Sequence, residues 1–173
     1  MKSLTRVTSE FIEAEDRYKI TGVCEDGETL IFWLTQRLLI RLINHCLVFL
    51  DSKSDGIPQN SNINDQPKSN LRGFAQQPAE KELPVEDPVV AKHNSRSYLI
   101  GEIDLEFGDN GLLLVFKEGM TKHASLALNI QQLRQWLAII HNVWQIAEWP
   151  MSIWPDRIST SDQTITSNGM SIH

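Results

Sequence analysis

A pattern that occurs twice constrains this chain more than any motif in it. Residues 10–51 and 97–149 each read as three short strands followed by one long apolar helix. In the first unit the run TLIFWL, Thr29–Leu34, ends at Thr35 and a helix follows to Leu50; in the second, the run 124–128 ends at Asn129 and a helix follows to Trp149. Thr and Asn are N-cap residues, because their side-chain oxygens accept from the unbonded N–H groups of a helix's first turn. A slide of 94 positions superposes the two caps and pairs Leu39 with Leu133, Leu42 with Trp136, Ile43 with Leu137, Cys46 with Ile140 and Leu50 with Trp144. A slide of 96 would pair His45 with His141 but breaks the cap and apolar match, so the histidine pairing is read as coincidence.

Turn chemistry sets the strands within each unit. Glu25-Asp26-Gly27-Glu28 separates two β-rich runs, and Asp-Gly between such runs is a strong hairpin signal. Gly108-Asp109-Asn110-Gly111 does the same in the second unit, where Asn-Gly is expected to supply positive φ angles, and Gly119 turns the chain once more. The first strand of the first unit is placed at 10–15, and that of the second at 98–107 without interruption. The fold class that follows is α+β: two pseudo-repeated units, each an antiparallel three-stranded meander covered by one helix.

Residues 52–95 have a different character, rich in Asn, Asp, Ser, Gln and Lys, with five prolines and few large apolar residues. Such a segment buries too little surface to offset its ordering entropy, so it reads as a flexible linker. The domain plan is therefore a first unit at 1–51, the linker at 52–95, a second unit at 96–156 and a disordered tail at 157–173, with 1–156 forming one compact domain. Leu71 and Phe74 stand out in the linker as a candidate partner-docking pair.

The net charge of -6 disfavours nucleic-acid binding by bulk electrostatics, since phosphate contacts need clustered Lys and Arg. Cys24 and Cys46 fit neither a disulfide framework nor a zinc site and read as free thiols of a reducing, bacterial-type cytoplasm. The first residues turn acidic without an apolar stretch of secretory length. The run from Leu30 to Leu50 has the length of a membrane span, but it contains Arg37 and Arg41, each costing roughly 2.5–3.5 kcal/mol near a bilayer centre. A strand and a buried helix suit it better.

Candidate sites are few. Alternation along 99–107 puts Glu102, Asp104 and Glu106 on one face together with Ile100, opposite Leu99, Ile103 and Leu105. The carboxylates suit a hard cation or an acid and base pair, although a solvated sheet face is the simpler reading. Arg37 and Arg41 lie one helical turn apart and suit a phosphate or acidic peptide, against the plainer reading of a polar strip. His45 and His141 have no second ligand at helical spacing and read as structural. The Trp149-Pro150 and Trp154-Pro155 pairs make a strap whose indoles either pack over the core or form an aromatic platform. Both helices carry apolar residues round a wide arc, which suggests a second apolar partner and hence a homodimer.

No phosphate loop, dinucleotide fingerprint, zinc-protease helix, nucleophile elbow or Cys-x-x-Cys occurs, and no cofactor is called for. The composition points first to a non-catalytic protein-interaction or assembly factor that self-associates through its helices. A metal-dependent enzyme built on Glu102, Asp104 and Glu106 is the third choice. Between them stands a single-strand nucleic-acid binder, because strands followed by a helix, twice over, resemble the whirly-type architecture in topology. That resemblance implies a sheet face bearing Lys, Arg and aromatic residues, whereas the readable outer face is acidic.

Overall fold

Why the chain forms one sheet rather than two is visible in how its meanders join. The computed structural model describes residues 1–54, 87–154 and 170–172. Strands β1 (Lys2–Ile12), β2 (Arg17–Cys24) and β3 (Thr29–Leu34) form the first antiparallel meander, and β5 (Glu102–Phe107), β6 (Gly111–Glu118) and β7 (Thr121–Asn129) the second. Helix α1 (Gln36–Ser54) follows β3 and α2 (Ile130–Ile146) follows β7. A short strand β4 (Arg96–Leu99) precedes β5, and β8 (Met170–Ile172) comes last.

Seven strands run in the order β4-β3-β2-β1-β7-β6-β5, and β8 is added on β1. Two parallel seams unite the meanders: β1 with β7, where Lys2 opposes Ala124, and β3 with β4, where Leu30 opposes Arg96. The registers are related, because Arg96 lies 94 positions after Lys2 and Ala124 lies 94 after Leu30. The outermost strands, β4 and β5, are consecutive parts of one extended run. Ile100 N donates to Trp33 O on β3 at 2.9 Å and Gly101 N donates to Lys117 O on β6 at 3.1 Å. The run thus changes partner within one peptide, and the sheet returns on itself. Separate meanders would each have left two open edges.

This partner change corrects the reading of 98–107 as one uninterrupted strand. Tyr98 and Ile100 face the core before the break, and Ile103 and Leu105 face it afterwards, so Leu99 and Ile103 do not share a face. Ile100 is buried rather than lying among the carboxylates. A similar shift between Leu4 and Arg6 in β1 explains why that strand escapes a periodicity reading. It starts at Lys2, well before residue 10, and Glu13–Glu15 forms a 3-10 turn. Part of its buried stretch is Thr8 and Ser9, which look like surface residues in a sequence.

The helices start where their caps place them. Asn129 forms a reciprocal capping box with Gln132, and Leu38 N donates to Thr35 Oγ1 at 3.3 Å. Leu39, Ile43 and Cys46 of α1 and Leu133, Trp136, Leu137 and Ile140 of α2 are wholly buried in the common core. The exposed face of α1 is Arg37, Arg41, Asn44, His45 and Val48, so this helix has one apolar side. Among the described residues, no helix is long and apolar enough to cross a membrane.

Both ends of the region assigned to the linker, 52–95, carry defined structure. Helix α1 continues to Ser54, and at the other end Val89 is buried and its N–H donates to Thr8 Oγ1 at 2.7 Å. Lys92 N reaches Thr29 Oγ1 at 3.3 Å and Lys92 Nζ reaches Gly27 O at 2.8 Å. Residues 87–95 are therefore stitched to the first meander. Leu71 and Phe74 lie outside the described residues. Within the stretch 157–173, which was expected to be disordered, Met170–Ile172 forms a strand.

Candidate functional site

The middle of β1 is enclosed on every side, and each side has a separate physical cause. Along one edge the ladder to β2 pairs Val7 with Gly22, Thr8 with Thr21 and Ser9 with Ile20. Along the other edge β8 runs antiparallel, pairing Val7 with Ile172, Thr8 with Ser171 and Ser9 with Met170. On one side of the strand the Thr8 hydroxyl takes the Val89 N–H, and from α2 the Trp136 indole N–H donates to Ser9 Oγ at 3.2 Å. Tyr18 lies beside Ser9 and Trp136, and burial pushes its hydroxyl well above the ordinary tyrosine range. The β1 edge is where a chain segment remote in sequence adds a strand.

The seams are closed at one end by charge. Lys2 donates to Asp26 Oδ2 at 2.6 Å and to Glu28 Oε2, while Arg96 donates twice to Glu28 Oε1, at 2.7 and 3.0 Å. Lys2 starts β1 and Arg96 starts β4, so one carboxylate ties both parallel seams. The Lys2 hydrogen bond holds Asp26 below the usual carboxylate range. The same ammonium, followed by Arg96, lowers Glu28.

The carboxylates of β5 meet a cation already. Lys117, opposite Glu102 on β6, sets its ammonium 3.2 Å from Glu102 Oε1 and 3.1 Å from Asp104 Oδ1. Hydrogen bonds to Asp104 and then Glu102 raise its pKa. An ammonium thus occupies the position a metal ion would take between these two side chains, and Glu106 stands opposite Leu113 instead. Among the described residues, no group of three or more His, Cys, Asp or Glu is placed to hold a metal.

The other sequence candidates are dispersed. Arg37 and Arg41 lie on the exposed face of α1. Trp149 and Trp154 are 8% and 5% exposed. Trp149 stands edge-on to Phe11 and Trp144, and its N–H donates to Asp16 Oδ1 at 3.2 Å. Trp154 stands edge-on to His141 and Trp144. Each large indole removes roughly 150–250 Å² from water, worth about 4–6 kcal/mol as an upper bound. Both are committed to the fold, leaving little ring surface for a ligand to stack on. His45 is exposed. Both thiols are buried, and desolvation pushes Cys46 up to about 12 and also raises Cys24, which makes them poor nucleophiles.

Sequence reasoning missed the β1 edge and its strand. The available signal was Asn168-Gly169, a turn pair, before an apolar, polar, apolar triplet at Met170–Ile172, too short to register as a strand. Compared with known proteins, the chain matches no family model, no curated protein and no solved structure.

Proposed function

We propose that this chain is a non-catalytic protein-interaction or assembly module that receives an extended segment of a partner as an added strand on β1. The observation that carries this reading is the second ladder at residues 7–9, where a segment from far along the chain pairs with an edge of an otherwise self-closing sheet. Strand addition is a recurrent mode of peptide recognition in which main-chain hydrogen bonds supply affinity. The chemistry nearby supports binding over catalysis. Lys117 with Glu102 and Asp104, and Lys2 and Arg96 with Glu28, are occupied by each other, and both thiols are buried. A single-strand nucleic-acid binder would need a basic sheet face, whereas β5 presents Glu102, Asp104 and Glu106.

We also propose that the two strand-strand-strand-helix units are copies of one ancestral unit. The 94-residue relation between the two parallel seams supports it, as does the same slide in the helix caps. Self-association does not need the helices, whose apolar faces are consumed in the core; a homodimer would form instead by exchange of the added strand between two copies. Selection of binders from a random extended-peptide library on the purified protein tests the main reading. Selected peptides are expected to slow amide exchange at residues 7–9; selected peptides whose protection maps elsewhere, with residues 7–9 unaffected, would overturn it. Native mass spectrometry of the full chain reports the oligomeric state.

A further inference from the structure

Resting on the strand-addition reading, we infer that β8 is an internal stand-in for the partner: Met170–Ile172 holds the β1 edge in cis, and the partner is an uncharged extended segment with apolar residues flanking a small polar one. Three features carry this. The first is the occupant itself, Met170-Ser171-Ile172, which has no charge and alternates apolar, polar, apolar. It lies against Val7, Thr8 and Ser9, a stretch that is buried and equally without charge. An ionised side chain added there would lose its hydration without a counter-charge from those three residues.

The second is the electrostatic state of the flanks. Beyond Ser9, the Glu10 carboxylate is engaged by Lys19 Nζ at 2.7 Å, so it does not call for a basic partner. On the helix side, the Trp136 N–H is committed to Ser9 Oγ. Within residues 7–9, recognition is left to main-chain ladder bonds and uncharged side chains.

The third is length. β8 pairs with three residues of β1, while β1 itself runs three residues further, to Ile12, with β2 as its one strand partner there among the described residues. A short ladder gains few hydrogen bonds for the backbone entropy it fixes. A partner strand of about six residues would pair from Val7 to Ile12, twice the reach of the resident one, and would displace it. The cis strand therefore sets a threshold: it covers an aggregation-prone edge while no partner is present and yields to a longer strand. Its effect on affinity follows from the fraction of time the edge is free, since apparent Kd equals the intrinsic Kd divided by that fraction.

The experiment compares the full chain with its Ser171→Pro variant. Proline at this position cannot donate to the ladder and so disfavours pairing of β8. A second variant, the chain stopped after Gly169, repeats the comparison without a proline. The probe is a fluorescein-labelled peptide of residues 165–173, read by anisotropy, together with a copy carrying Asp in place of Ser171. Both variants are expected to bind the neutral probe about tenfold or more tightly than the unaltered chain, and to bind the Asp probe markedly less. Amide exchange at residues 7–9 should quicken in the variants and slow again when the probe is added. Equal affinity of all three proteins, with residues 7–9 protected by the probe, would overturn the cis-competition while leaving strand addition standing. Preference for the Asp probe would overturn the partner chemistry. Binding to none of them, with residues 7–9 exchanging freely in the variants, would overturn both readings.

Discussion

Replacing Gly111 with Ala tests the join between the second meander and its helix. Gly111 opposes Asn129 across the β6–β7 ladder, and a Cβ at this position would lie 2.2 Å from Leu128 O, 2.8 Å from Asn129 Cα and 3.0 Å from Leu128 C. All three are backbone atoms, so no side chain can rotate away and the end of β7 has to move. Asn129 is also the N-cap of α2: its side chain accepts from Gln132 N at 2.8 Å, and its own N–H donates to Gln132 Oε1 at 2.9 Å. Overpacking costs about 1–3 kcal/mol, and a disturbed cap costs about 1 kcal/mol more. Against this, Ala restricts the unfolded chain and returns about 0.4–1 kcal/mol. The net is a loss of about 1–3.6 kcal/mol, which for a chain of this size lowers Tm by about 2–14 °C. Gly108 is the control, because its Cβ would meet only Gly111 O at 3.5 Å, an ordinary contact. Gly108→Ala is therefore expected to leave Tm unchanged or raise it by about 1–3 °C. Thermal unfolding followed by circular dichroism reads both. Shifts equal within error would refute the claim that backbone approach at Gly111 sets this turn.

Asn129→Ala removes the capping box and is expected to cost about 1 kcal/mol, read as a lower urea midpoint at unchanged m-value. Cys24 and Cys46 are expected to resist an aromatic disulfide reagent at pH 8 in the folded protein and to react in full in denaturant; rapid labelling of Cys46 when folded would contradict its burial. Asp26 and Glu28 are held below their ordinary values of 3.8 and 4.5, so their pairing stabilises the fold above about pH 4.5 and is lost as pH falls through the lowered values. Glu28→Gln should flatten the acid limb of stability against pH at low salt, and an unchanged limb would show that this carboxylate does not tie the seams.

How much of this was legible depended on whether the determining interaction was local. Thr35 and Asn129 were readable because a cap acts within one helical turn, and Asp26-Gly27 because the turn needs Gly27 at φ 77°. Asn110-Gly111 was placed correctly as a turn for the wrong reason. Neither residue has positive φ there, and Gly111 is required by the neighbouring β7 backbone. The start of β1 and the phase change at Ile100 were hidden by register shifts, which break the two-residue period on which strand reading depends. The parallel seams join residues whose pairing leaves no local trace, so the two meanders were expected without the ladders that unite them in one sheet. Alternation placed Glu102, Asp104 and Glu106 together but wrongly added Ile100, and Lys117, whose ammonium lies between Glu102 and Asp104, comes from the neighbouring strand and so could not be read locally.

Positions related by 94 can be compared where β1 and β5 present their edges. Thr8 corresponds to Glu102 and Glu10 to Asp104, so β5 begins with charge where β1 has a small neutral residue. Charged side chains on an outer strand discourage further strands from adding, and Lys117 binds two of them to β6 without removing the ionic surface. On β1 the stretch 7–9 has no such guard, and that is where β8 adds. Among the described strands β5 pairs with β6 alone. On the proposed duplication, the position that is charged on β5 is neutral on β1, and β8 pairs with the neutral one. Moving the charge should move the addition: Thr8→Glu is expected to expel β8 and abolish probe binding, because an ionised carboxylate would take the place of the hydroxyl that accepts the Val89 N–H, on a strand enclosed on every side. Retention of the probe by a folded Thr8→Glu protein would break the link between edge charge and strand choice.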